Sequence, residues 1–169
     1  MKGILRILAI VVGVCVLQLQ CGHGPLEKGD VAPEFCLKNI DGKDIRLSDF
    51  RGKIVLVQFW ADCCSGFTTA FPEMQSAYEK LHERNLEILA VNAGEPRNIP
   101  AYYDNQYDIT FPMLVDETAD VAIAYGLKSI PAGFIISARG TIIDILFDWP
   151  SEEYLRNILD QERQIGKEG

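Results

Sequence analysis

The chain has 169 residues, 48% hydrophobic and 24% charged, which suits one ordinary globular domain with a short appendage. Sixteen Lys and Arg stand against 24 Asp and Glu, a formal net charge of −8, and no cationic cluster interrupts that balance. A nucleic-acid partner is therefore not expected, and the acidity reads as solubility.

At the N-terminus Lys2 and Arg6 lead into an apolar run over residues 7–19 and then a polar, Gly-rich stretch over 20–24. The run falls short of the roughly 20 apolar residues that span a bilayer and has the layout of a signal peptide. Cys21 before Gly22 is a lipidation candidate, the first residue of a bacterial lipoprotein, although Gln20 stands where such cleavage sites prefer a small residue. An uncleaved anchor and simple secretion are the alternatives. All three expect the folded part outside the cytoplasm, where disulfides persist, and the first two associate it with a membrane. Residues 1–21 are thus read as signal peptide or membrane or lipid anchor, 22–31 as a polar connector, and 32–165 as the folded domain.

Cys15 and Cys21 fall in the targeting segment, which leaves Cys36, Cys63 and Cys64 in the domain. An odd number in an oxidising compartment implies at least one free or transiently paired thiol. Cys36 reads as a small buried hydrophobe in a strand. Around it, residues 34–37 and 44–47 flank Asn39-Ile40-Asp41-Gly42-Lys43, and an Asp-Gly step between short apolar stretches predicts a hairpin. Ser48 is a candidate cap for one helical turn ending at Arg51-Gly52.

Residues 54–60, Ile-Val-Leu-Val-Gln-Phe-Trp, form a continuous apolar run and predict a strand buried on both faces. The run leads into Cys63 and Cys64 and then a helical stripe, Phe67, Ala70, Phe71, Met74, Ala77, Tyr78 and Leu81, over about residues 65–84. Pro72 inside it predicts a kink. A helix N-terminus carries unpaired N–H groups and a partial positive charge, so a thiol at Cys64 is expected to titrate below a free cysteine and to be alkylated before Cys36. A C-x-x-C pair would put its second thiol at position 67; Phe67 stands there and also reads as the first core residue of the stripe.

Residues 86–92 predict a second central strand, parallel to the first. Asn98 is a candidate cap for a helix to about 107, residues 113–115 for a short strand, and Thr118 for the cap of a helix through 125–126. Residues 133–137 and 141–147 predict a hairpin turned by Ala138-Arg139-Gly140, and Ser151 with Glu152 and Glu153 starts the last helix.

This order of elements resembles the thioredoxin-like fold, an α/β architecture with a central mixed β-sheet flanked by helices, here with an N-terminal β-hairpin extension. More narrowly it resembles the membrane-anchored or lipidated redoxins of the TlpA and ResA type. Ala32-Pro33-Glu34-Phe35, Leu47-Ser48-Asp49-Phe50-Arg51-Gly52-Lys53, Phe59-Trp60-Ala61, Phe71-Pro72-Glu73-Met74, Ala90-Val91-Asn92, Phe111-Pro112, Tyr125-Gly126 and Ile130-Pro131 carry the match in order. In that family the strand end reads F-W-A-x-W-C-x-x-C, so the resemblance puts Cys63 in the tryptophan position, Cys64 in the nucleophilic position and Phe67 in the resolving position. It also implies that Pro131 is a cis-proline whose neighbouring backbone faces the sulfur and pairs with extended peptides. Trp60, Phe67, Ile130 and Pro131 are then the candidate substrate-binding residues. Glu95 matches an acidic residue that tunes thiol protonation in ResA-like members; the plainer alternative is an exposed loop carboxylate capping Pro96 onward. No cofactor is implied.

Several functions fit this pattern. A monothiol oxidoreductase would use Cys64 to attack a disulfide and an external thiol to resolve it, with protein thiols or disulfides or a small thiol reductant as partners. Cys63 is a possible accessory thiol in that scheme, at the cost of strain in a disulfide between adjacent residues. A catalytically degenerate redoxin would instead bind a polypeptide beside the Pro131 loop by strand-like pairing. Peroxide reduction calls for a hydroxyl three residues before the nucleophile, and Ala61 stands there. A metal site is not expected, since His23 lies in the connector and His82 on the outer face of the long helix.

Overall fold

The computed structural model describes residues 25–63 and 67–168. The expectations on Cys15, Cys21, His23 and Cys64, and on the Phe67 side chain, lie outside the described residues.

Among the described residues seven strands form one mixed sheet: β1 (Cys36–Asn39), β2 (Asp44–Arg46), β3 (Ile54–Trp60), β4 (Leu86–Ala93), β5 (Met113–Asp116), β6 (Ala132–Ile136) and β7 (Ile142–Leu146), in the order β2-β1-β5-β4-β3-β6-β7. Every residue of β3 and β4 is buried, as a continuous apolar run requires of strands covered on both faces. The two pair in parallel from Ile54 with Leu86 to Trp60 with Asn92, β5 adds in parallel to β4, and β6 runs antiparallel to β3. Among the described residues the sheet is accompanied by four α-helices: α1 (Phe67–Leu81), α2 (Asn98–Tyr107), α3 (Asp120–Ala124) and α4 (Glu152–Glu168).

Strand alternation divides the core between the two sheet faces. Leu56, Trp60, Ile88 and Ala90 pack with Phe71, Met74 and Leu81 of α1 and Leu155 and Leu159 of α4, whereas Val55, Val57, Phe59, Leu89 and Val91 pack with Phe35, Ala122 and Tyr125. Gln58 belongs to β3 yet is fully buried, and Gly133 opposite leaves it room, since a Cβ there would lie 2.6 Å from the Gln58 Oε1.

The structure corrects several local expectations. Cys36 is exposed, because β1 alternates and turns Cys36 and Lys38 outward while Leu37 packs inward. Ser48 does not cap with its hydroxyl; its N–H donates to Glu34 Oε1 at 2.7 Å, and the 3-10 turn Leu47–Phe50 is held at its start by Asp49, which accepts the Arg46 N–H at 3.0 Å. Asn98 is the first residue of α2, behind Arg97, and makes no cap. For α3 the acceptor is Asp116 rather than Thr118: its carboxylate takes the N–H groups of Val121 at 3.3 Å and Ala122 at 2.9 Å. Ser151 does cap α4, accepting the Tyr154 N–H at 3.2 Å. α1 runs through Pro72, and His82 sits beyond it in the 3-10 turn His82–Arg84, with its ring 4.6 Å from that of Tyr78.

The described part of the connector is docked. Gly29 donates to Ile142 O at 2.8 Å, Ile142 donates to Asp30 O at 2.8 Å, and Val31 bridges Thr141, so this segment covers the start of the β7 edge. At the other end α4 continues past residue 165 to Glu168. No helix among the described residues is long and apolar enough to cross a membrane.

Candidate active site

β3 ends by burying Trp60 completely, with its ring edge-on to Phe71 at 4.9 Å and to Tyr103 of α2 at 5.5 Å. Ala61 is also buried, and the chain then surfaces at Asp62 and Cys63, a free thiol. Full burial makes Trp60 a support for this loop instead of the contact surface expected of it.

Among the described residues Glu95 and Tyr103 bond to Asp62, and Asn92 supports Glu95. Glu95, just after β4, accepts the Asp62 N–H with both carboxylate oxygens, at 3.1 and 2.9 Å. Asn92 lies beside Trp60 across the sheet, is fully buried, and donates its amide to Glu95 Oε2 at 2.7 Å. Tyr103 donates its hydroxyl to Asp62 Oδ1. That bond, with burial and the Asp62 charge adding to it, pushes the Tyr103 phenol up to about 12, because ionising it would set a phenolate against a carboxylate. Glu95 therefore binds back to the thiol loop and does not cap the chain after Pro96.

The register of β3 with β6 pairs Phe59 with Ala132, which sets residues 130–131 beside the end of β3. The Ile130–Pro131 peptide bond is cis. Ile130 is half-buried against both halves of the core, and Pro131 is half-buried next to it. Flanking this loop is a groove of about 330 Å³ whose lining includes Leu26, Leu127, Ser129, Ala132, Ile145 and Phe147. Phe147 is 81% exposed at its rim. Among the described residues, no group of three His, Cys, Asp or Glu side chains is placed to hold a metal.

Asp62, Asn92 and Tyr103 were not singled out from sequence. Asn92 offered one signal, an amide at the end of the apolar run over residues 88–91. Tyr103 is 41 residues from its partner, and nothing in the spacing links them.

The AhpC/TSA family model matches residues 28–145. The chain belongs to the AhpC/TSA family. Within it the similarity runs to thiol-disulfide oxidoreductases named ResA. One from Geobacillus thermodenitrificans is 33% identical over 132 residues, 78% of this chain and 76% of the relative. Another, from Bacillus subtilis, is 29% identical over 159 residues, 94% of this chain and 89% of the relative. The fold is shared with a solved thiol:disulfide interchange protein of the thioredoxin family from Chlorobium tepidum, at a TM-score of 0.69 and 21% identity, covering 80% of this chain and 97% of that one. This AhpC/TSA chain is a thioredoxin-like redoxin of the TlpA/ResA kind.

Proposed function

We propose that this redoxin is a thiol–disulfide oxidoreductase that works with one nucleophile, Cys64. The observation that carries the reading is the register of β3 with β6, which ends with Phe59 opposite Ala132 and so sets the Ile130–Pro131 loop at the end of the strand that leads to Asp62 and Cys63; the ResA relatives supply the chemical precedent. The Cys64 thiolate attacks a disulfide, one S–S bond forms to the protein as another breaks, and the displaced sulfur leaves as a thiolate. An external thiol, deprotonated, then attacks the mixed disulfide, carries the disulfide away and returns the Cys64 thiolate. Neither step requires sulfur at Phe67. Glu95 tunes the proton balance at the loop, and Ile130 and Pro131 receive the extended substrate.

The test is turnover of a disulfide-linked peptide with a small thiol as reductant. Cys64→Ser abolishes turnover and Cys63→Ser preserves most of it; turnover that survives Cys64→Ser removes the proposal. The apolar groove beside Ser129 and Ala132 favours a second reading, a polypeptide-binding module without turnover. A Cys64→Ser form that still retains a peptide partner, with no mixed disulfide in the native form, would select it.

We place the folded domain outside the cytoplasm, tethered at its N-terminal end by a lipid on Cys21 once residues 1–20 are removed, with an uncleaved anchor within residues 1–21 as the alternative. Loss of the membrane fraction on Cys21→Ser supports lipidation; unchanged partitioning supports an uncleaved anchor.

A further inference from the structure

We infer that Tyr103 is a positioning residue for the thiol loop, acting through Asp62; the inference rests on the thiol-exchange reading above. The Tyr103 ring is fixed from several sides: edge-on to buried Trp60, 6.0 Å from Phe71, and stacked on Tyr107 at 6.3 Å with 6° between planes. Its hydroxyl then reaches Asp62 Oδ1, so one side chain of α2 touches both Trp60 and Asp62, the residues that bracket Ala61. Glu95 holds the Asp62 backbone N–H from a separate segment. Asp62 is thus fixed at backbone and side chain by two elements, and Cys63 and Cys64 follow it directly.

This arrangement has an electrostatic consequence. A carboxylate beside a thiol disfavours the thiolate. The phenol hydrogen bond commits the Asp62 charge to a donor and holds it on α2, which lessens that opposition. Tyr103 therefore keeps an acidic loop compatible with a reactive sulfur.

The experiment is alkylation of the reduced full chain by iodoacetamide as a function of pH, with fragment-ion mapping to separate Cys63, Cys64 and Cys36. Tyr103→Phe keeps the ring and removes the hydroxyl; it should move the Cys64 profile about half a pH unit alkaline, roughly a threefold loss of rate near neutrality. Asp62→Ala removes both the charge and the acceptor; it should move the profile the other way, and in that background Tyr103→Phe should have no further effect. A purely structural role for Tyr103 would persist in the Asp62→Ala background. Superimposable profiles for Tyr103→Phe and the native chain, or an equal shift in both backgrounds, overturn the inference. A second measurement does not depend on the thiols. The Tyr103 resonance of ¹³C-labelled tyrosine, assigned by its loss in Tyr103→Phe, should begin to titrate at lower pH in Asp62→Asn than in the native chain, and identical titrations overturn the contact. Unreactive loop thiols with a raised Tyr103 titration would refute the exchange reading while upholding the Tyr103–Asp62 link.

Discussion

Glu95 serves two donors with one carboxylate, the Asp62 N–H at the mouth of the site and the amide of buried Asn92. Glu95→Ala leaves the Asn92 amide buried without its acceptor and frees the loop, so it should cost about 1–3 kcal/mol in denaturant unfolding. A loss under about 0.5 kcal/mol would contradict that role. Glu95 stood out in the sequence by its family position, although its bond to Asp62 did not; the contact of Tyr103 with Asp62 was hidden because it depends on how α2 packs against Trp60. Cys36 misled because cysteine counts as apolar while the strand alternation that exposes it depends on which side of β1 meets the core. Its exposure changes how labelling is read, since Cys36 is accessible and a faster Cys64 must owe its rate to thiolate content. The ratio of Cys64 to Cys36 alkylation should then rise as pH falls from about 8.5 toward 6. A constant ratio would contradict an activated Cys64.

Among the elements, those defined by long apolar patterns were legible and their ends were less so. β3 was read with its observed bounds, since seven successive buried residues leave no competing period. The α1 stripe was equally plain, and Pro72 sits inside the helix. Caps failed where the acceptor came from outside the local window. Thr118 lies two residues before the first residue of α3, but Asp116, buried at the end of β5, already points its carboxylate at the Val121 and Ala122 N–H groups. Asp116→Ala should therefore destabilise α3 by about 1 kcal/mol, seen as faster amide exchange over residues 121–124, whereas Thr118→Ala should leave exchange nearly unchanged. Equal effects from the two substitutions would contradict this assignment.

At the scale of the molecule, two apolar layers on one sheet leave the C-terminal end of β3 fixed from both faces, and Asp144 fastens the periphery. It lies on β7, 2.6 Å from Lys28 of the docked N-terminal segment, and accepts the hydroxyl of Tyr154 from α4. Burial works to raise its carboxyl, but the bonds from Lys28, Tyr154 and the Ile145 N–H outweigh it and hold the group below the usual carboxylate range. A carboxyl lowered in the folded state stabilises above its unfolded value of about 3.9 and loses that contribution as pH falls through the folded value. Asp144→Asn should thus destabilise the chain at pH 7, with a difference that shrinks below about pH 4; a pH-independent difference would contradict the ionic role. The sequence showed no sign of this tie, because residues 25–31 look like a linker until the edge of β7 accepts them.

The central claim is that one sulfur carries the exchange. Its most direct measurement is peptide mapping of the reduced full chain after brief exposure to oxidised glutathione, before and after an added thiol. The account predicts a mixed disulfide first at Cys64, released by the thiol, and only slow adducts at Cys36 and Cys63 in Cys64→Ser. A releasable adduct that forms as fast on Cys63 or Cys36 in Cys64→Ser as on Cys64 in the native chain would contradict it.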